Sequence, residues 1–323
     1  MDNRADGLAV VLGAGGGTGR AVVDELMKVG RSVRAVTRTG ARGSLPADVE
    51  VVAADLFDPA QASRAIDGAA VVYHAAQPPY NAWHGNFERL NESVALAAGA
   101  AGARLVFADN LYMYGPGGSP MTETTPQHAA DRKGALRIAL AADLLARHER
   151  GEVEVAIGRS SDYFGPGGTN SGLGERLFGA LAHGKTANWT GSADALHSAS
   201  YLPDLARTLV IIGERDEAAG RVWHLPVMDP ITGRAFVEAA CRAAGVAPRV
   251  SVTTPAMLAM AGLFMPLARE VRVVMYQWTE PWISEWSAFE AAFGPFARTP
   301  FDEAIAATVA WWRQHAVQTA KAA

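Results

Sequence analysis

Cysteine, charge and long apolar runs are all scarce in this chain. A single cysteine, Cys241, makes an intrachain disulfide impossible and argues against a cysteine-based metal site. Charged residues are 19% of the 323 residues and apolar residues are 49%, which indicates a soluble protein with a large core. The apolar run Leu8–Leu12 follows a charged start and is too short for a signal peptide or a membrane span. We therefore expect a cytoplasmic protein.

The charge pattern and the histidines exclude several further classes. The formal net charge is −4, which gives no reason to expect nucleic-acid or membrane partners. The chain has eight histidines, but no pair has the spacing of a metal site, so we expect no metal. His183, His197 and His224 are interpreted as loop or core residues.

The most informative segment is the glycine-rich stretch V-V-L-G-A-G-G-G-T-G near the start of the chain. It ends an apolar strand in glycines and then opens a helical pattern. Such a turn lets the backbone approach a pyrophosphate, and the helix N-terminus adds free N–H groups and partial positive charge. A plain strand-to-helix loop is the alternative. The residues predicted to hold the phosphates are Gly13, Gly16, Gly17, Thr18 and Gly19.

Strand and helix patterns alternate through the first half of the chain. This predicts right-handed crossovers and an α/β fold, a doubly wound parallel Rossmann-type sheet. The predicted strands are Leu8–Leu12, Ser32–Thr37, Val49–Ala53, Ala70–Ala75, Arg104–Ala108 and Val153–Gly158. The predicted helices are Gly17–Val29, Pro59–Ile66, Asn86–Ala101 and Ala129–Arg150.

The pattern after Gly158 is less regular and predicts a smaller C-terminal substrate-binding lobe. We expect a nucleotide-binding domain over residues 1–160, using about 200–226 as well, and a lobe over most of 161–323. The further predicted elements are loops at Phe164–Asn170 and Gly184–Ser200, a strand at Val222–Leu225, and helices at Gly233–Ala244 and Pro300–Arg313.

Several different short motifs are spread along almost the whole chain. After the glycine turn come Asp55-Leu56, His74-Ala75-Ala76, Asn91, Tyr114-Gly115, Gly165-Pro166-Gly167, Tyr201-x-x-Asp204 and Trp311. Together they resemble the extended short-chain dehydrogenase/reductase family, in its nucleotide-sugar epimerase and dehydratase branch. The resemblance implies that Asp55 and Leu56 contact the adenine and that Ala75 and Ala76 form part of the cofactor floor. It also adds Asn91 to the cofactor-binding candidates.

The charge at the end of the second predicted strand bears on the choice between NAD and NADP. An acidic residue there would hold the ribose hydroxyls of NAD and repel a 2′-phosphate. This strand ends instead at Arg38, with Arg34 and Arg42 nearby, and no Asp or Glu occurs between Lys28 and Asp48. Because a guanidinium pairs well with a phosphate, the sequence favours NADP over NAD. A solvated loop arginine is the other interpretation.

The family that the chain resembles usually uses Ser, Tyr and Lys as its catalytic residues. This chain departs from that catalytic set. Counting from the Tyr114-Gly115 turn, Asn110 stands in the Ser position. Lys133 matches the Lys, but the position four residues before it is Ala129, and no tyrosine occurs between Pro116 and Arg150. Lys133 can still hold the ribose hydroxyls and, if desolvated, transfer a proton.

Several other groups could supply the missing proton transfer. Tyr112 follows the fifth strand, Asp109 and Asn110 stand at its tip, and Tyr163 follows the sixth strand. Ser160, where the resembling family's chain passes the nicotinamide, joins the cofactor-binding candidates. A loop tyrosine is more often a packing residue than an acid.

These observations favour an NADP-dependent oxidoreductase acting on a small organic substrate with a non-standard proton donor. An epimerase or dehydratase that retains its cofactor is one alternative, and a non-catalytic redox sensor is another. The resemblance also implies a homodimer formed by the helices near Asn86–Ala101 and Ala129–Ala146. Alanine is abundant in both, but it serves close packing on the parent sheet equally well.

Overall fold

The computed structural model describes residues 6–322, so the outermost ends of the two predicted domains, residues 1–5 and 323, lie outside it. A seven-stranded sheet forms the centre, with strands in the order β11-β6-β5-β4-β1-β2-β3 and every neighbouring pair parallel. The strands are β1 (Leu8–Leu12), β2 (Val33–Thr37), β3 (Glu50–Ala53), β4 (Ala69–His74), β5 (Arg104–Asp109), β6 (Glu154–Arg159), β7 (Tyr163–Phe164), β8 (Ala187–Thr190), β9 (Leu196–His197), β10 (Ser200–Tyr201), β11 (Arg221–His224), β12 (Ile231–Thr232) and β13 (Val250–Thr253). This confirms the predicted doubly wound parallel fold.

Helices cover both faces of the sheet and build the second half of the chain. They are α1 (Gly17–Lys28), α2 (Pro59–Ile66), α3 (Asn86–Ala100), α4 (Arg132–Glu149), α5 (Ala180–Ala182), α6 (Leu202–Glu214), α7 (Gly233–Ala243), α8 (Pro255–Ala261), α9 (Pro266–Val273), α10 (Tyr276–Thr279), α11 (Ser287–Phe293) and α12 (Phe301–Ala322). Two short 3-10 turns lie beside the site, at Tyr80–Ala82 and Tyr112–Tyr114.

The alternation of side chains along each strand explains why the strands are apolar throughout. Val10 and Leu12 pack with α2, α3 and α4, whereas Ala9 and Val11 pack with α1 and α6. Side chains at odd and even positions of a strand point to opposite faces of the sheet. A parallel sheet covered by helices on both faces therefore needs apolar residues at both sets of positions. A third core, in the second half of the chain, is rich in aromatic residues such as Trp189, Phe236 and Trp278.

Three predicted elements differ from the structure by more than a residue or two. Helix α4 begins at Arg132 and not at Ala129, because the carboxylate of Asp131 accepts hydrogen bonds from the first free N–H groups and caps the helix there. The stretch 184–200 is not a loop throughout, since β8 and β9 lie in it and pair with β13 and β12. Helix α12 continues well beyond Arg313.

The topology places one crevice at the carboxyl edge of the sheet. The chain winds from β1 outward to β2 and β3, and then returns to β4 on the other side of β1. Ligands of such sheets bind outside the carboxyl ends of the strands at this reversal. No helix within residues 6–322 is both long and apolar enough to cross a membrane.

Candidate functional site

The glycine turn after β1 forms an open cradle at the N-terminus of α1. Gly16 is the N-cap of α1, and no side chain caps the helix. The first N–H groups of α1 therefore point at the crevice with their partial positive charge unopposed by a protein carboxylate. This arrangement suits an anionic phosphate group.

Gly13, Gly16 and Gly19 are spaced three residues apart in the turn, and each of these positions needs glycine for a different physical reason. Gly13 has φ +78°, and a Cβ there would lie 2.7 Å from the Ala76 Cα, so the segment that follows β4 leaves no room for a side chain. A Cβ at Gly19 would collide with the Gly13 carbonyl oxygen. Gly16 has an ordinary extended backbone, and its Cβ would meet only the Gly13 carbonyl oxygen at 3.4 Å. Only at Gly16 would a side chain enter the cradle without disturbing the fold, which fits a dinucleotide pyrophosphate.

The other predicted cofactor residues lie at the same edge of the sheet. Asp55 and Leu56 follow β3, Ala75 and Ala76 follow β4, and Ser160 follows β6. The Asp55 carboxylate accepts a hydrogen bond from the Phe57 N–H, which forms the turn into α2, while Leu56 is buried. The sequence therefore predicted which residues meet at this edge. Their contacts to a cofactor remain a prediction.

Of the three arginines near the end of β2, the structure leaves one available. Arg34 pairs with Glu50 and donates to two backbone carbonyls, and Arg42 donates to the carbonyls of Pro46 and Val49. Arg38 is exposed and, within residues 6–322, has neither a hydrogen bond nor an ion pair. Among these three arginines, Arg38 is therefore the one without a protein partner in the described part of the chain.

Asn91 acts indirectly in this structure. Its side chain is buried on α3, where its Oδ1 accepts a hydrogen bond of 3.0 Å from the Nε2–H of His74 at the end of β4. Burial lowers the pKa of His74 to about 4, so the imidazole is neutral at pH 7. The pair therefore joins α3 to the end of β4 inside the fold.

Lys133 is buried, with 1% of its surface exposed. Its ammonium donates to the Tyr80 carbonyl, pairs with Glu270 Oε2 at 3.0 Å, and lies 3.9 Å from the centre of the Tyr80 ring. Burial lowers the pKa of Lys133, and the Glu270 carboxylate opposes that shift. Glu270 and Tyr80 were both missed from the sequence, since nothing in their neighbourhood marks them as partners of Lys133.

Asp109 is held in a buried ion network and does not face the crevice. Its side chain has no exposed surface, and its two oxygens accept from Arg137 at 3.1 Å and from Arg159 at 3.1 Å. Arg159 also donates to the Tyr114 hydroxyl, which lies 2.6 Å from His224 Nε2. Both guanidiniums therefore hold the Asp109 carboxylate inside the fold.

We expect Asp109→Asn to destabilise the protein by about 2 kcal/mol, because one charge-assisted partner of two buried arginines is lost. The measurement is the urea midpoint of unfolding at fixed slope. Asp24→Asn is the matched control, since its pair with Arg20 is on the surface and such pairs contribute roughly 0–1 kcal/mol. Equal midpoints for the two variants would contradict the structural role of Asp109.

The polar side chains at the tip of β5 centre on Tyr112. Its hydroxyl lies 3.5 Å from the Tyr80 hydroxyl, and its ring stacks on Trp83 with centroids 6.2 Å apart. Burial, and next the negative charge of Asp162, raise the pKa of Tyr112 to about 12. The phenol is therefore protonated at pH 7 and can donate a proton. The Asn110 Oδ1 accepts a hydrogen bond from the Tyr112 N–H, and this bond shapes the turn.

A second polar pair lies near Tyr112 and was missed from the sequence. Asp162 Oδ2 lies 3.1 Å from His197 Nε2, and His197 Nδ1 donates to the Gln277 carbonyl at 3.1 Å. The imidazole therefore lies between a carboxylate oxygen and a carbonyl oxygen, and both of these oxygens are hydrogen-bond acceptors. His197 was interpreted as a loop or core residue because only the fold brings β9 against the end of β6.

Three further residues near the site are Tyr163, Ala129 and Tyr276. Burial raises the pKa of Tyr163 to about 12, and its backbone pairs with β10 through strand β7. Ala129 lies before α4, so it does not share a helical face with Lys133 as the sequence suggested. Tyr276 approaches this region from the second half of the chain, and its hydroxyl donates to the Tyr112 carbonyl at 3.2 Å.

The fold and the glycine cradle together define a Rossmann-type dinucleotide-binding protein. The chain belongs to the NAD-dependent epimerase/dehydratase family, whose model matches residues 9–225. Solved structures of this fold cover nearly the whole chain, while no curated protein matches the sequence.

Three of the similar structures illustrate the range. The Bordetella bronchiseptica enzyme WbmH, in complex with NAD+, has a TM-score of 0.74 and 19% identity over 96% of this chain and 99% of its own. MoeE5, in complex with UDP-glucose and NAD, has a TM-score of 0.76 and 21% identity over 96% and 99%. The epimerase Mth375 of Methanothermobacter thermautotrophicus has a TM-score of 0.80 and 16% identity over 99% and 96%.

Proposed function

We propose that this protein is a nicotinamide-dependent epimerase or dehydratase that retains its cofactor and acts on a hydroxylated substrate of the nucleotide-sugar type. The observation that carries the proposal is the open cradle at Gly16, which lies at the same carboxyl edge of the sheet as Tyr112 after β5 and Asp162 after β6. The family match supports it, and MoeE5 is a protein of this fold in complex with both a UDP-sugar and NAD. This was the alternative interpretation of the sequence, and it replaces a net oxidoreductase as the first choice.

The residues that would hold the cofactor are those at the carboxyl edge of the sheet. Gly16, Gly17 and Thr18 would bind the pyrophosphate, Arg38 the adenosine ribose or its phosphate, and Ser160 would lie beside the nicotinamide. A bound nicotinamide supplies hydride transfer to and from a substrate carbon. The side chains of this chain then have to orient the substrate and move a proton at its oxygen.

Tyr112 is the group we assign to the proton at the substrate oxygen. It is protonated at pH 7, and it lies at the tip of the strand that faces the crevice. Oxidation of a substrate hydroxyl would release a proton and reduction would consume one, so the Asp162–His197 pair would hold that proton between the two steps and return it through Tyr112. Asp109 is the poorer candidate for this role, because both of its carboxylate oxygens are already paired with buried arginines.

The experiment incubates the protein with a panel of nucleotide sugars, carbonyls and imines, and follows both product formation and nicotinamide absorbance. We expect product with no net change in cofactor oxidation state. A product that appears in step with stoichiometric cofactor consumption would instead assign the protein as a net oxidoreductase. That second candidate is favoured by one observation, the unpaired Arg38, because NADP is common in reductive chemistry.

We predict that the protein binds NADPH more tightly than NADH and that Arg38→Ala narrows the difference. Loss of a charge-assisted phosphate contact should cost on the order of 1–3 kcal/mol for NADPH and little for NADH. Calorimetric titration of both cofactors measures the two dissociation constants.

The matched control for this prediction is Arg42→Ala. It removes the same charge from the same loop, but Arg42 is engaged by the carbonyls of Pro46 and Val49. We expect the ratio of the two dissociation constants to stay unchanged in this variant. Equal affinity of the unmodified protein for NADH and NADPH would refute the cofactor preference.

A further inference from the structure

Helices α8 and α9 form a hairpin, residues 255–273, that is unusually apolar on its outside. No charged residue occurs between Val250 and Ala268. The two helices pack on each other through Leu258 and Ala268, both buried, with Met275 beneath them. The remaining large apolar side chains have no place in that small core.

The outer face of the hairpin is exposed to solvent. Leu263 is 73% exposed and Phe264 is 86% exposed, at the turn between the helices. Seven of the large apolar side chains that are exposed in the described part of the chain belong to the hairpin: Met257, Met260, Leu263, Phe264, Met265, Leu267 and Val273. A contiguous exposed apolar patch of this kind marks an interaction surface.

The charges that accompany this patch are positive. Arg269 and Arg272 are exposed on α9, and neither forms an ion pair with a residue between positions 6 and 322. The hairpin's one carboxylate, Glu270, turns away from the patch and pairs with Arg132 and Lys133. The outer face therefore combines protruding apolar side chains with unopposed guanidiniums.

We infer that the hairpin is a peripheral membrane-binding element that inserts Leu263 and Phe264 into the surface of a bilayer with anionic headgroups. An interfacial helix combines apolar residues with Lys or Arg in this way, and anionic lipid adds electrostatic attraction. A second copy of the chain is a poorer occupant. A two-fold contact would bring the arginines of both copies together, and the patch has no exposed carboxylate to pair with them.

The position of the hairpin connects this surface to the site. Glu270 on α9 pairs with Lys133, and α9 contacts the Tyr80–Ala82 turn. A bilayer under the hairpin would thus lie next to the crevice. The inference rests on exposure and charge alone, so it stands whether or not the proposed reaction is correct.

The test is co-sedimentation of the purified protein with vesicles of phosphatidylcholine alone and of phosphatidylcholine mixed with phosphatidylglycerol. We expect binding to the mixed vesicles that weakens as salt is raised. The double variant Leu263→Ser/Phe264→Ser should lower the partition coefficient by about tenfold or more, because both apolar side chains lose their burial. Arg269→Glu/Arg272→Glu should remove the preference for phosphatidylglycerol.

The matched control is Val317→Ser, which changes an exposed apolar residue on α12. It should bind vesicles as the unmodified protein does, and circular dichroism should show that all variants are folded. Failure to bind either vesicle, or an equal loss in Val317→Ser, would overturn the inference. So would light scattering that shows a dimer lost only in Leu263→Ser/Phe264→Ser, because the patch would then belong to a second copy.

Discussion

Gly16→Val should abolish dinucleotide binding while the protein keeps its fold. In the structure the added side chain meets nothing nearer than the Gly13 carbonyl oxygen, and the backbone of Gly16 is one that valine adopts without strain. The isopropyl group would instead fill the space above the N-terminus of α1, where the pyrophosphate has to sit. Calorimetric titration should detect no binding, and thermal unfolding should remain cooperative with an unchanged Tm.

Gly19→Val provides the contrast for this prediction. Its Cβ would collide with the Gly13 carbonyl oxygen, so the variant should lose stability as well as binding. The two variants thus separate a glycine needed by the ligand from a glycine needed by the fold. If Gly16→Val binds the cofactor normally, the turn is only a strand-to-helix loop.

Tyr112→Phe should lower turnover by about a hundredfold or more with little change in cofactor affinity, because a general acid is worth that much and only the O–H is lost. The phenyl ring keeps the stacking on Trp83, so stability should change little. The measurement is kcat on the substrate identified by the panel, together with the dissociation constant of the cofactor.

Tyr163→Phe is the matched control for Tyr112. The pKa of both tyrosines is raised to about 12, but only the Tyr112 hydroxyl meets the Tyr80 hydroxyl at the tip of β5. We expect Tyr163→Phe to retain most of the activity. The reverse result, with Tyr163→Phe inactive and Tyr112→Phe active, would move the proton donor to the segment after β6.

The fold was predictable because its signals are local. Apolar strands alternate with helical spacing, and glycines mark the turns, so a parallel sheet with crossovers was the consistent solution. The wrong start predicted for α4 also has a local cause. Asp131 is a good N-cap residue, but the helix was predicted to begin at Ala129, because that residue lies one helical turn before Lys133.

The place of most cofactor-binding candidates at the edge of the sheet was predictable for the same reason, while their contacts to a cofactor stay a prediction. Arg38, Asp55, Leu56, Ala75, Ala76 and Ser160 each come soon after a strand, and the carboxyl ends of parallel strands meet at one edge. The proton-handling half was not. His197 and Glu270 reach Asp162 and Lys133 from the second half of the chain, and no local pattern encodes contacts between such distant segments.

The exposed hairpin shows the same limit. Net charge gave no reason to expect a membrane partner, because the patch depends on which apolar residues of two short helices stay outside the core. The cytoplasmic location, the two-domain division and the homodimer through α3 and α4 stay predictions.

Equilibrium titration of the unmodified protein with NADH and NADPH, followed by nicotinamide fluorescence, tests the dinucleotide site most directly. The open cradle at Gly16 and the unpaired Arg38 predict saturable binding with one site per chain, tighter for NADPH. Absence of saturable binding for both cofactors would contradict a dinucleotide-dependent enzyme.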